Sequence, residues 1–308
     1  MSRKYITNPL LLLFTIFFLF TLPFLGCNQG VKSDNREKKP IITVTIEPQR
    51  YFLYQIVGDN FEINTLVPPG TSPETYEPAP SVLVNMSNSD LYFIVGDLGF
   101  EQAWSKRIAE NNPRLKIVDC SQGIDLIEGE EHHHTDGHGH TYSHSSLDQH
   151  IWSSPSTVKL MIENMLNALV EFDSENEDRY RSNYNNFIDK IDSIDTVITE
   201  LLIDIPTRSF VIFHPSLGYF AKDYDLHQHS IEFEGKSPSP SQIRKLIDIA
   251  KKENINTVFI EKGYDVKNAQ VVAQEIGAEI FEISPLDYEW EIEMINIAEI
   301  LSRDKKLK

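Results

Sequence analysis

The chain is 308 residues long, enough for two domains with cores of ordinary size. Hydrophobic residues at 41% and charged residues at 24% exclude wholesale disorder and a multi-spanning membrane protein. Acids outnumber bases 46 to 28, a formal net charge of −18, so the field of the molecule repels phosphate backbones and excludes nucleic acid as a partner; cations suit it better.

Arg3 and Lys4 precede an almost wholly apolar run over 10–25, too short for a bilayer span and matched to the hydrophobic region of a secretory signal. The run closes on Phe24-Leu25-Gly26-Cys27, which resembles a bacterial lipobox with Cys27 as the lipidated residue, although Phe24 replaces the usual aliphatic side chain. The alternatives are a plain cleaved signal or an uncleaved anchor. Residues 1–26 then form the signal and 27–40 a polar, flexible tether, and the remainder folds outside the cytoplasm. Cys120, the second of two cysteines, follows an apolar run and reads as a buried thiol at a strand end with no disulfide partner.

From residue 41 the pattern alternates. Strands are predicted over 41–46, 61–67, 90–95 and 115–119, with helices over 49–57, 80–86 and 100–110 between them. A segment rich in His, Gly and acids interrupts at 128–146, within an N-terminal lobe of 41–173. Helices follow over 156–172 and 174–202, the second so polar that only a thin apolar stripe remains, which suits a bridge between domains (174–205) better than a core. The C-terminal lobe, 206–308, repeats the alternation: strands over 210–213, 257–260 and 279–283, helices over 217–224, 239–252, 269–276 and 289–301. The fold class is α/β, two (β/α) lobes of mostly parallel sheet joined by one long rigid helix, with a cleft between them for a ligand.

Three polar segments fall where open α/β sheets bind ligands, outside the carboxyl ends of strands: Gly70 to Pro78 with Glu74, Asp148 to Trp152 with His150, and Phe213 to Tyr219 with His214. A fourth, Phe259 to Gly263, ends an apolar strand in Glu261. Each residue alone has an ordinary reading as a solvated acid, a hydrogen-bonded histidine, a helix cap or a salt-bridged strand end. Together they offer two imidazoles and two carboxylates from both lobes, suited to one borderline divalent cation. Asp148 is placed either to orient an imidazole or to face solvent.

The segments Pro69-Gly70-Thr71-Ser72-Pro73-Glu74-Thr75-Tyr76-Glu77-Pro78, His150-Ile151-Trp152 and Phe213-His214-Pro215-Ser216-Leu217-Gly218-Tyr219-Phe220 resemble the metal-site motifs of the zinc/manganese substrate-binding lipoproteins of ABC importers, the cluster A-I or zinc-uptake type. The resemblance implies a metal between the lobes, held by Glu74, His150 and His214, under a His-rich loop. Two positions depart from the family pattern: Glu74 stands where most zinc members carry His, and Ser284 where an aspartate is a frequent fourth ligand. The fourth position falls to Glu261, favoured here, or to water, Asp287, Glu282 or Ser284.

His132, His133, His134, His138, His140 and His144 lie in the 128–146 segment, six of the chain's ten histidines. The segment is internal and mixed with acids, unlike an expression tag, and suits weak multi-site binding of Zn²⁺, Cu²⁺ or Ni²⁺. It inclines the metal toward Zn²⁺, with Mn²⁺ as the second ion. His227 and His229 alternate on a strand and share a face, which fits a second metal patch or a partly exposed edge.

The function implied is a non-enzymatic, monomeric, extracytoplasmic receptor that delivers a divalent metal to an ABC permease while anchored to the membrane by its lipid. A secreted zinc hydrolase is the first competing reading, but the sequence has no H-E-x-x-H and no base beyond the ligands. A metal-buffering or adhesin surface lipoprotein is the second.

Overall fold

The computed structural model describes residues 39–303 apart from 75, 87, 97, 130–132, 136–140, 144–146, 233–237 and 265, and gives 133–135 and 141–143 as backbone. The signal and tether, Cys27, His132, His138, His140 and His144 lie outside the described residues.

Two four-stranded parallel sheets carry the fold. The first holds β1 (Ile41–Val44), β2 (Glu62–Thr65), β3 (Leu91–Ile94) and β4 (Lys116–Asp119) in the order β2-β1-β3-β4. The second holds β7 (Ser209–Ile212), β8 (His227–Ser230), β9 (Thr257–Glu261) and β10 (Glu279–Ile283) in the order β10-β9-β7-β8. Within each half the spatial order of strands is second, first, third, fourth, so both halves wind alike. The chain reverses direction across the sheet between β1 and β3 and between β7 and β9, and those switch points open crevices at the carboxyl ends.

Local chemistry explains the elements. β1 and β7 are buried along their whole length, the largely apolar pattern of parallel strands covered on both faces. Helix α1 (Glu47–Val57) carries Pro48 in its first turn, and the Gln49 side chain accepts from the amides of Thr45 and Ile46, joining helix and strand. Helices α2 (Pro80–Met86) and α3 (Gly99–Asn111) complete the first half. In the second half come α6 (Gly218–Asp223), α7 (Pro240–Lys252), α8 (Lys267–Ile276) and α9 (Trp290–Leu301). Ser239 and Gln242 cap α7 reciprocally, with Pro240 at its first turn.

Between the halves lie α4 (Pro155–Phe172) and α5 (Glu177–Leu202). The thin stripe of α5 is Tyr180, Phe187, Ile191, Ile194, Ile198 and Leu202, all buried. It touches α1, α4 and α9, so the helix bridges both halves as expected but does so from within a shared core, where its stripe packs with Phe52, Met165 and Met294. The final helix reaches into the same core: Trp290 packs edge-on against Phe52 of α1 at 5.3 Å, and its indole N–H donates to the Trp152 carbonyl.

The His-rich segment contains secondary structure that its composition does not foretell. β5 (His133–Thr135) and β6 (Thr141–Ser143) pair antiparallel, and Glu128 bridges Leu147 at the base. Cys120 is fully buried at the end of β4, with the Gln49 amide 3.7 Å from its sulfur.

Candidate metal centre

Glu74 sits on the loop that leaves β2 through Pro68-Pro69-Gly70. Gly263, at φ 99°, allows this loop to cross to the second half, since a Cβ there would stand 2.9 Å from the Gly70 carbonyl oxygen. His150 precedes a single 3₁₀ turn, Ile151–Ser153, whose Trp152 donates to the Pro285 carbonyl. His214 follows β7 at the switch point, beside the Glu261 end of β9.

These elements bring three ligand atoms together. The Nε2 atoms of His150 and His214 are 3.0 Å apart, and Glu74 Oε1 lies 3.6 and 3.4 Å from them. Among the described residues this is the one group of three or more His, Cys, Asp or Glu side chains spaced to share a metal ion. Both imidazoles are buried, while Glu74 keeps one side toward solvent.

Each imidazole turns its other nitrogen to a carboxylate. His150 Nδ1 is 2.8 Å from Asp148 Oδ1, which also accepts from the His150 amide. His214 Nδ1 is 2.9 Å from Glu232 Oε2. With a carboxylate accepting at Nδ1, the neutral ring carries its proton there and presents the Nε2 lone pair to the metal. Asp148 therefore faces an imidazole rather than solvent. Its carboxylate presses on α6: a Cβ on Gly218 would fall 2.1 Å from Asp148 Oδ2, so the Gly of the His214–Tyr219 segment is required by close packing. Glu232 carried no signal in the sequence, being 18 residues from His214 just beyond β8.

Burial and charge act in opposite directions on the cluster. Burial alone would raise the Glu74 pKa, yet the hydrogen bond from His214 and the charges of His214 and His150 lower it to about 2. Burial alone would lower His214, but hydrogen bonds to Glu232 and Glu74 and the charges of Glu74 and Glu261 carry it up to about 10.

Glu261, the favoured fourth ligand, is not brought into the cluster. One carboxylate oxygen accepts from the His214 amide at 3.2 Å and the other from Ser216 Oγ at 2.8 Å. Burial pushes its pKa up, against the charge of His214 and those hydrogen bonds. It shares with Ser284 and the three clustered residues the wall of a cavity of about 40 Å³, which has room for a water molecule. Glu282 is exposed on β10, and Asp287 accepts from the Glu289 amide in its own turn. A wider cavity of about 770 Å³ adjoins the site on its other side, walled by Glu74, His150 and His214, by Glu128 and Leu147 at the base of the β5–β6 hairpin, and by His227.

Residues 42–291 match the family described as "ZnuA: Zinc-uptake complex component A periplasmic". The "High-affinity zinc uptake system protein ZnuA" of Bacillus subtilis is 29% identical over 283 residues, 89% of this chain and 88% of that protein. The "Zinc-binding protein AdcA" of Streptococcus pyogenes is 27% identical over 84% of this chain, which spans 52% of that longer protein. A crystal structure of ZnuA superposes with a TM-score of 0.78 at 36% identity, covering 86% of this chain and 98% of that one. The laminin-binding adhesin Lmb of Streptococcus agalactiae shares the fold at 19% identity and a TM-score of 0.75. The chain belongs to the ZnuA family, whose members are extracytoplasmic metal-binding components of an uptake complex and not enzymes.

Proposed function

We propose that this protein captures Zn²⁺ at Glu74, His150 and His214 and hands it to the membrane permease of an ABC importer, working as a monomer held to the membrane through a lipid on Cys27. The observation that carries the reading is the spacing of the three ligand atoms, 3.0, 3.4 and 3.6 Å. Tetrahedral zinc with bonds of about 2.0 to 2.1 Å needs ligand atoms about 3.3 to 3.4 Å apart, so the side chains close on the ion with shifts of a few tenths of an ångström. Two imidazoles suit zinc better than Mn²⁺, which favours oxygen-rich octahedral sites.

The fourth position goes to a water in the small cavity. Glu261 acts behind it, bracing the His214 backbone and Ser216 and supplying buried negative charge close to the ion. The carboxylates of Glu74 and Glu261 offset the charge of the dication, which limits the cost of enclosing it.

Zinc titration of the mature protein by competition with a chelator tests the ligand set. Replacing either His150 or His214 by Ala is expected to weaken binding at least about a hundredfold, the loss of one of three protein ligands. A tight site that survives both changes would overturn the assignment. Zinc accumulation in a deletion strain tests the importer role, and accumulation equal to the parent's would count against it.

A further inference from the structure

Of the three clustered side chains, Glu74 is the one that solvent reaches: it is 36% exposed, against 7% for His150 and 9% for His214. The loop that carries Glu74 therefore closes the open side of the site. That loop belongs to the first half, yet it lies against the turn that follows β9 in the second. Gly263 there meets the Gly70 carbonyl, and the amide of the next residue, Tyr264, donates to the Glu261 carbonyl at 3.2 Å, which tightens the turn. Tyr264 contributes no atom to the cluster, but it touches both of its sides. Its ring stacks on the His214 imidazole, with 5.6 Å between centroids and 11° between planes, and packs against Phe213 at 5.4 Å. Its hydroxyl hydrogen-bonds to the Ser72 side chain, whose Oγ in turn accepts from the Glu74 amide at 3.3 Å. Tyr264 and residues 70–74 accordingly share the wall of the small cavity.

We propose that Tyr264 is a positioning residue for metal binding: its ring holds the His214 imidazole in place, and its hydroxyl straps the Glu74 loop across the two halves through Ser72. The inference rests on Glu74, His150 and His214 being the ligands. Glu232 fixes His214 at Nδ1 and Tyr264 supports one face of the ring, so the imidazole meets the ion without reorienting. The strap adds no bond to the metal. It raises the cost of opening the loop, so its effect falls mainly on the rate at which the ion leaves. The competing description is that Tyr264 only fills space beside Phe213 at the edge of the second half's own apolar cluster. Its hydroxyl would then be indifferent to the ion.

Stopped-flow release of Zn²⁺ from the mature chain to excess chelator separates the two. Tyr264→Phe keeps the stack and loses only the strap, so zinc should leave about 2- to 10-fold faster, the worth of one hydrogen bond, with the association rate little changed. Ser72→Ala breaks the same link, so Tyr264→Phe/Ser72→Ala should release zinc no faster than Ser72→Ala alone. Tyr264→Ala removes the stack as well and should speed release about 2- to 10-fold further. In the Co²⁺-loaded protein, Tyr264→Phe should keep the visible bands of tetrahedral coordination and Tyr264→Ala should weaken them, as His214 and Glu74 lose their alignment. A residue that merely fills space would lower the melting temperature of the metal-free protein and leave the bands and the release rate alone. Release from Tyr264→Phe at the parent rate, or effects of Tyr264→Phe and Ser72→Ala that multiply in the double variant, overturns the proposal. Failure of the ligand assignment shows elsewhere, as tight binding that survives His150→Ala and His214→Ala.

Discussion

At the scale of single residues, the site works because each imidazole is held from behind. Glu232 fixes the ring and tautomer of His214, so Glu232→Ala is expected to weaken zinc binding about 10- to 100-fold without touching the metal. Glu232→Gln, which can still accept from Nδ1–H but carries no charge, should recover part of that loss; equal losses in the two variants would deny the positioning role. The opposed shifts of Glu74 and His214 give a pH signature. His214, up at about 10 in the metal-free protein, must lose its proton to bind, so zinc affinity should rise with pH through neutrality and titration near pH 7 should release about one proton from this group. Calorimetry in buffers of different ionisation enthalpy measures that proton, and none released would contradict the ion pair.

The same pair stabilises the metal-free fold within limits. His214, raised above its ordinary 6.5, contributes fully below that value, and its contribution fades as pH climbs toward about 10. Glu74, depressed from 4.5, contributes above that value, and its contribution fades as pH falls toward about 2. Melting of the apo protein should therefore show the pair's full contribution between about pH 4.5 and 6.5.

At the scale of elements, the strand and helix alternation was legible because buried parallel strands such as 41–44 and 209–212 are apolar at three of their four positions, on both faces. The motifs around Glu74, His150 and His214 were legible because polar residues at strand ends have few other reasons to cluster. The rest was hidden for identifiable reasons. The β5–β6 pairing lies in a segment of His, Gly and acids with no apolar alternation to reveal it. Glu232 reaches His214 only through the parallel pairing of β8 with β7, a tertiary fact that no local spacing carries. Glu261 was readable as a buried carboxylate at a strand end, but the expectation of a ligand overlooked the His214 amide and Ser216 hydroxyl that already occupy it. Glu261→Gln therefore should cost zinc affinity only several-fold, not the hundredfold of a lost ligand. Gly218→Ala tests the contact of α6 with Asp148: its Cβ would collide with Oδ2, so stability should fall by about 1 to 3 kcal/mol. Zinc affinity should fall with it as Asp148 is pushed from His150.

At the scale of the whole molecule, the two similarly wound halves share one core through α5 and α9, and the candidate metal cluster takes Glu74 and His150 from the first half and His214 from the second. Binding therefore ties the halves together without needing a wide closure. A ligand at a thousand times its Kd stabilises a fold by about 4 kcal/mol, on the order of 10 °C in Tm for a chain of this size. That gain should vanish in the His150→Ala/His214→Ala variant.

The central claim is the identity of the ligands, and anomalous scattering from a zinc-soaked crystal at the zinc edge addresses it most directly. The account predicts a peak within about 2.0 to 2.2 Å of His150 Nε2, His214 Nε2 and a Glu74 oxygen, with a water completing the tetrahedron. A strongest peak elsewhere, with these three side chains unligated, would contradict it.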